Sequence, residues 1–180
     1  NKKVKYGWMR GTHTFSSVVA RFLSLFSRFE GADNPYYNIR IPEKMRRGWQ
    51  ILEFISALPV ILFKFVIPSL LGYWVIGDRY IPDLIAWISL TTKDETFLKK
   101  FEARILLALS HKAEYRIHIT AHPRKLTKRR KMREEEIEAN LSLREMMIYD
   151  EIETKINAQR IDTSCESVGR SLEKLLKFIK

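Results

Sequence analysis

The 180-residue chain holds a single cysteine, Cys165. One thiol closes no intrachain disulfide and builds no multi-cysteine metal site, so the chain fits a reducing, cytoplasmic setting. Glycine (7 residues) and proline (6 residues) are scarce, which excludes collagen-like and low-complexity classes. The four histidines, His13, His111, His118 and His122, show no metal-ligand spacing. No apolar run directly follows the basic start Lys2, Lys3 and Lys5, so no signal peptide is expected in these residues. The first residue is Asn1 rather than Met, and the expectation is that further residues precede it.

Hydrophobic residues (46%) suffice for a real core, so disorder is not expected. The charge is one-sided: 32 Lys and Arg against 21 Asp and Glu, a net +11. A surplus of this size favours polyanionic partners such as nucleic acid, acidic lipid or phosphorylated small molecules. It is also uneven. Residues 1–48 carry 10 basic and 3 acidic side chains, and residues 124–133 carry seven basic and none acidic.

Alternation of Val4 and Tyr6 with Lys3 and Lys5 predicts a short strand over 3–9. Phe15, Val18, Val19, Phe22, Phe26 and Phe29 recur at helical steps, so an amphipathic helix follows. Residues 31–42 read as a loop around Asn34-Pro35. The apolar stretch Trp49 to Leu71 is the only membrane-span suspect. Glu53 and Lys64 interrupt it and Pro59 and Pro68 break its helicity, so a buried helix pair is expected instead. Residues 73–77 are continuously apolar, as suits a strand buried on both faces of a parallel sheet. Further helices are expected from Pro82, over 94–110, over 134–157 and at the carboxyl terminus, with strands at 115–120 and near Arg160. Trp8, Trp49, Trp74 and Trp87 are expected in the core, and Cys165 as a small buried residue. Alternating strands and helices argue an α/β fold with a parallel sheet and helical crossovers in a single domain, 1–180.

Ligands of open parallel sheets bind outside the carboxyl ends of the strands. Arg10 follows the first strand, Asp78, Arg79 and Tyr80 follow the apolar one, and His122 and Arg124 follow 115–120. Positive charge on one rim suits phosphate, which an Arg fork holds at two oxygens.

The segment Gly72-Tyr73-Trp74-Val75-Ile76-Gly77-Asp78-Arg79-Tyr80 resembles the Asp-Arg-aromatic strand end of the thymidylate kinase family, P-loop nucleoside-monophosphate kinases. Tyr115 to Pro123 running into Arg124 to Arg130 resembles that family's fourth strand and Arg-rich lid. Arg160-Ile161-Asp162-Thr163-Ser164, then a terminal helix, resembles its last strand and adenine-side loop. The resemblance spans nearly the whole chain. It implies a three-layer fold, a parallel sheet with helices on both faces, and a lid at 124–135. It also implies transfer of the ATP γ-phosphoryl group to a nucleoside monophosphate with Mg²⁺. By the same resemblance Arg10 and Arg79 bind the acceptor phosphate. Asp78 assists the Mg²⁺ or that phosphate, with no residue here as a direct metal ligand. Arg129 and Arg130 stabilise transition-state charge, alongside Arg124 and Arg133 in the lid. Tyr80, like Tyr36 and Tyr37, is a candidate to stack a base, though packing is the expected role of the last two. The family's dimers make the helices of 49–71 a candidate homodimer interface.

The chain departs from the family at its start. None of the seven glycines belongs to a Gly-x-x-x-x-Gly-Lys-Ser/Thr loop, whose amides, Lys and hydroxyl hold the donor phosphates and Mg²⁺. In the family the strand before that loop is the middle of the sheet. The expectation is therefore that this segment precedes Asn1, that the chain as written is inactive towards ATP, and that strand 3–9 pairs in parallel with 73–77. Met9-Arg10-Gly11-Thr12 stands where the family shows Arg-Glu-Pro-Gly, so only Arg10 carries over. Two readings compete: a non-catalytic relative that binds nucleic acid through 124–133, and a membrane-associated protein anchored by 49–71. Neither a membrane partner nor a location outside the cytoplasm is expected.

Overall fold

In the computed structural model, which describes residues 3–131 and 139–179, the alternating start of the chain forms β1 (Val4–Trp8). The chain divides into two units, Asn1–Leu106 and Leu107–Lys180. Each holds one small parallel sheet among helices, so the class is α/β and mostly helical.

In the first unit β1 pairs in parallel with β3 (Trp74–Asp78), in register Val4↔Trp74 through Trp8↔Asp78. This is the expected partnership. The expected burial is not found: Val4, Tyr6, Trp74 and Ile76 are exposed, and Trp8 and Trp74 lie outside the core. The ladder has two strands, with no third among the described residues, which leaves much of its apolar surface exposed. Phe65 packs against its glycines. Gly7 and Gly77 face each other across the ladder, and a Cβ would stand 2.7 Å from the Phe65 ring at Gly7 and 3.2 Å at Gly77.

α1 (Thr14–Leu23) buries Ala20 against Ile39, Ile41 and Trp49. Most of its predicted apolar stripe, including Phe15, Val18 and Phe22, is exposed. The segment expected as a loop over 31–42 contains β2 (Glu30–Asn34), which meets Ile39 in antiparallel bridges. Asn38, at φ 51°, makes that reversal.

The expected helix pair is instead α2 (Arg46–Ile61), a π turn (Leu62–Val66) and α3 (Ile67–Leu70) in direct succession. Pro59 lies within α2 and does not end it. Pro68 has no N–H to give, and the wider π turn falls where the α ladder is interrupted. Residues Glu43–Leu70 are long and apolar enough to cross a membrane, with a best-window mean hydropathy of 2.0. Core helices of soluble proteins also reach such values. Ile51, Ile55, Leu58, Leu62 and Phe63 are nonetheless exposed rather than buried as expected.

α4 (Ile81–Thr91) opens with Pro82 in its first turn and is the most buried helix of this unit, through Ile81, Leu84, Ile85, Trp87 and Ile88. α5 (Phe101–Ser110) follows a short 3₁₀ turn. Polar contacts brace this end. Arg47 makes a two-pronged ion pair with Glu102, at 2.6 and 2.9 Å, and Gln50 bridges Asp94 and Lys100.

In the second unit β4 (Ile117–Thr120) pairs in parallel with β5 (Gln159–Asp162), Ile117 opposite Gln159. α6 (Pro123–Lys131) carries the basic run, and α7 (Ala139–Ile156) is the described part of the helix expected over 134–157. Ile148, Ile152 and Ile156 of α7 are buried, as is Ile161 of β5. α8 (Val168–Ile179) flanks a cleft of about 510 Å³ lined by Ile119, Ile161, Leu172 and Leu175, with Arg129 at its edge. Cys165 is exposed, contrary to expectation, because it lies in the turn before α8 rather than on a packed face.

Candidate functional site

β1 and β3 end side by side, and the Met9 amide extends their pairing by donating to the carbonyls of Asp78 (3.3 Å) and Arg79 (2.9 Å). Parallel pairing thus delivers Arg10 and Arg79 to the same, carboxyl end of the ladder, just past Asp78 at the end of β3.

Arg10 lies against an aromatic pair. Its guanidinium donates to the Tyr36 hydroxyl at 3.3 Å and sits 5.5 Å from the Trp87 ring centre. Tyr36 and Trp87 stack at 4.8 Å between centres. Arg79 adopts φ 49°, a left-handed conformation that a side chain normally avoids, and its guanidinium is 4.0 Å from Asp83 in the first turn of α4. Asp78 accepts a 2.5 Å hydrogen bond from Tyr6, which raises the Tyr6 hydroxyl above its ordinary value. The Tyr80 ring packs on Phe65 at 4.4 Å, and burial pushes its hydroxyl up.

Beneath the Arg10 loop lies a residue read from sequence only as an interruption. Glu53 of α2 is buried, and its carboxylate accepts from the Thr12 amide (2.8 Å) and the Thr12 hydroxyl (2.7 Å), with the Ser16 hydroxyl at 3.0 Å sharing its one proton between Glu53 and the His13 carbonyl. Burial pushes the Glu53 carboxyl up, against the pull of those hydrogen bonds. Its signal in the sequence is a lone charge inside an apolar helix, but its partner stands 41 positions away. The loop is also tied within itself: the Arg10 amide lies 3.2 Å from His13 Nε2. Burial, with Lys64 nearby, lowers His13, which leaves that ring nitrogen able to accept.

The lid candidates belong to the second unit. Arg129 donates to the Thr163 hydroxyl (3.1 Å) and carbonyl (3.0 Å), just past β5. Arg124 is exposed near the start of α6. The Arg130 backbone is part of α6. Arg133 and the rest of the 124–135 segment beyond Lys131 lie outside the described residues.

One further cluster joins residues distant in sequence. His118, Asp150 and Glu153 place potential ligand atoms within 4.8 Å of one another. The Arg160 guanidinium is bound to both carboxylates, so a cation already occupies the place a metal would take. The hydrogen bonds from His118 and Arg160 overcome the effect of burial and hold the Glu153 carboxyl below its ordinary value.

Compared with known proteins, the chain matches no family model, no curated protein sequence and no solved structure.

Proposed function

We propose that these residues carry the acceptor side of a nucleoside-monophosphate kinase of thymidylate-kinase type, in which Arg10 and Arg79 hold the monophosphate. The observation that carries this reading is the pairing of β1 with β3, which sets Arg10 and Arg79 at adjoining strand ends, with Arg10 against the stacked Tyr36 and Trp87. Guanidinium forks are suited to phosphate, and an aromatic face to a base. The three-layer P-loop arrangement goes with the same reading. The phosphate loop of that arrangement is not among these residues.

ATP and Mg²⁺ belong to the reading only through that other segment. Asp78 is a single carboxylate engaged by Tyr6, and in this reading the loop's amides, Lys and hydroxyl would hold the donor phosphates and Mg²⁺. The exposed apolar side of α2 is the proposed homodimer face, and the setting is proposed to be cytoplasmic. Titration with nucleoside monophosphates tests the reading. Binding in the micromolar to millimolar range, weakened at least tenfold by Arg79→Ala, is expected. Unchanged affinity in both Arg79→Ala and Arg10→Ala would overturn it. A chain extended upstream should phosphorylate a monophosphate with Mg²⁺-ATP, and the 180 residues alone should not.

The exposure of Arg124, Lys125 and Lys128 on α6 favours one alternative, nucleic-acid binding by a non-catalytic relative. It predicts affinity for DNA or RNA that falls steeply with salt.

A further inference from the structure

Every polar partner of the buried Glu53 carboxylate among the described residues is a neutral donor. A buried carboxylate without a cation is costly, and a leucine would suit the middle of an apolar helix better. What Glu53 grips is local and specific. Two of its hydrogen bonds go to one residue, Thr12, with Ser16, four positions later, and the Trp87 indole also donating towards it.

The Thr12 hydroxyl is a junction. It accepts from Asn34 Nδ2 at 2.9 Å and from the Trp87 indole at 3.0 Å, and donates to Glu53 at 2.7 Å. A hydroxyl has two acceptor positions and one proton, so this one is fully used. The direction of each bond is thereby set. Asn34 and Trp87 can only donate here, so the Thr12 proton must point at Glu53. The Thr12 amide must donate to the other carboxylate oxygen. Both Glu53 oxygens therefore have to accept. Glutamine, equal in shape, can keep the amide bond only by turning its NH₂ towards a hydroxyl with no free lone pair.

The grip works against backbone strain. Thr12 and Thr14 have φ of 53° and 44°, values that side chains with branched Cβ adopt only when held. Thr14 is held from the same helix, its hydroxyl donating to the Ser56 carbonyl at 2.6 Å. Arg10 is two residues before Thr12, with its guanidinium over the same Trp87 ring that bonds the Thr12 hydroxyl.

We infer that Glu53 is the positioning residue of the Arg10 loop: its carboxylate, acting through Thr12, holds the strained turn that sets Arg10 over Trp87 and Tyr36. As a statement about ligand binding this rests on the acceptor-phosphate reading of Arg10; as a statement about the loop it does not.

The experiment compares Glu53→Gln, Thr12→Val and Thr12→Ser with the wild-type 180-residue chain. Amide hydrogen exchange and the Trp87 indole N–H resonance are the first readout. In Glu53→Gln the Thr12 amide is expected to exchange at least tenfold faster and the indole signal to shift, with the β3 amides unchanged. Thr12→Val should reproduce the indole shift, and Thr12→Ser should restore the wild-type pattern. Equal protection of Thr12 in wild type and Glu53→Gln would overturn the inference. Uniform loss of protection across the first unit in both Glu53→Gln and Thr12→Val would do the same, as it marks a merely structural role. The second readout is affinity for thymidine monophosphate. Glu53→Gln should weaken it about tenfold, and less than twofold when Arg10 is already Ala. Independent, multiplying effects would count against the inference. If the wild type binds no monophosphate, the acceptor reading fails, and the exchange data still decide the role of Glu53.

Discussion

Lys100 Nζ lies 2.5 Å from Asp94 Oδ2, closing the turn between α4 and α5, with Gln50 bonded to both. Burial pushes the Asp94 carboxyl up, but hydrogen bonds from Lys100, Thr96 and Gln50 outweigh it and hold the group well below its ordinary 3.8. A carboxyl depressed by folding adds stability above its unfolded value, and that stability is lost as pH falls through the folded one. Urea unfolding at pH 7 should therefore show Asp94→Asn destabilised by about 1–3 kcal/mol, the range for a charged hydrogen-bonded partner. The gap should shrink below about pH 4, where the wild type begins to lose this contribution. A gap that stays constant down to pH 2 would show that Asp94 is not the linked group.

Glycine positions give a paired test. A Cβ on Gly11 would lie 2.0 Å from Trp87 Cδ1, inside a packed ring contact. Gly11→Ala should cost roughly 1–3 kcal/mol, the usual range for overpacking, and should perturb tryptophan fluorescence. Gly48 lies in the first turns of α2 with nothing within 4 Å of an added Cβ, and Gly48→Ala should instead raise stability by about 0.5–1 kcal/mol. Thermal melts of the two variants moving in the same direction would contradict this account.

Arg79 combines a ligand role with a strained backbone, and two substitutions separate them. Arg79→Gly and Arg79→Ala both remove the guanidinium and should lose monophosphate affinity equally. At φ 49° only glycine relaxes, so Arg79→Gly should be about 1 kcal/mol more stable than Arg79→Ala. Chemical denaturation of both variants measures the difference, and equal stability would remove the strain argument.

For Arg160, NMR titration is the sensitive probe. Arg160→Ala should move the Glu153 carboxyl towards higher pH, because a guanidinium that favours its charged form is gone. The stabilisation lost should be modest, about 1 kcal/mol or less, since Arg160 is 46% exposed and solvent screens the pair. A Glu153 titration unchanged by the substitution would show that His118 alone controls it.

The features legible in sequence are those that depend on local pattern. Alternation at Val4 and Tyr6 and the apolar run before Asp78-Arg79 marked two strands, and their pairing with each other was what the resemblance to the thymidylate kinase family implied. Arg10 and Arg79 could be placed at one end because strand ends are marked by where apolar residues stop. Burial was less legible. Trp74 and Ile76 look like core residues, but exposure depends on how many strands flank them. The Glu53–Thr12 junction, the Tyr36–Trp87 stack and the grouping of His118 with Glu153 each join residues at least 35 positions apart, and no periodicity encodes such meetings. The short β2 was hidden by Gly31, Asp33 and Asn34, residues that read as loop formers.

The π turn at Leu62–Val66 makes the length of this stretch matter more than its spelling. A π turn carries one residue more than the α turn it replaces, which advances everything after it by about 100° around the helix axis. Phe65 within the turn lies under Gly7 and Gly77, and Pro68 just after it is buried. Exposed letters such as Phe63 can change with little effect. Deleting Phe63 or Lys64 would restore an ordinary α turn and swing Phe65 away from the paired glycines. The ladder that presents Arg10 and Arg79 is thus tuned by a count of residues in a helix that contributes none of the groups proposed to hold the phosphate.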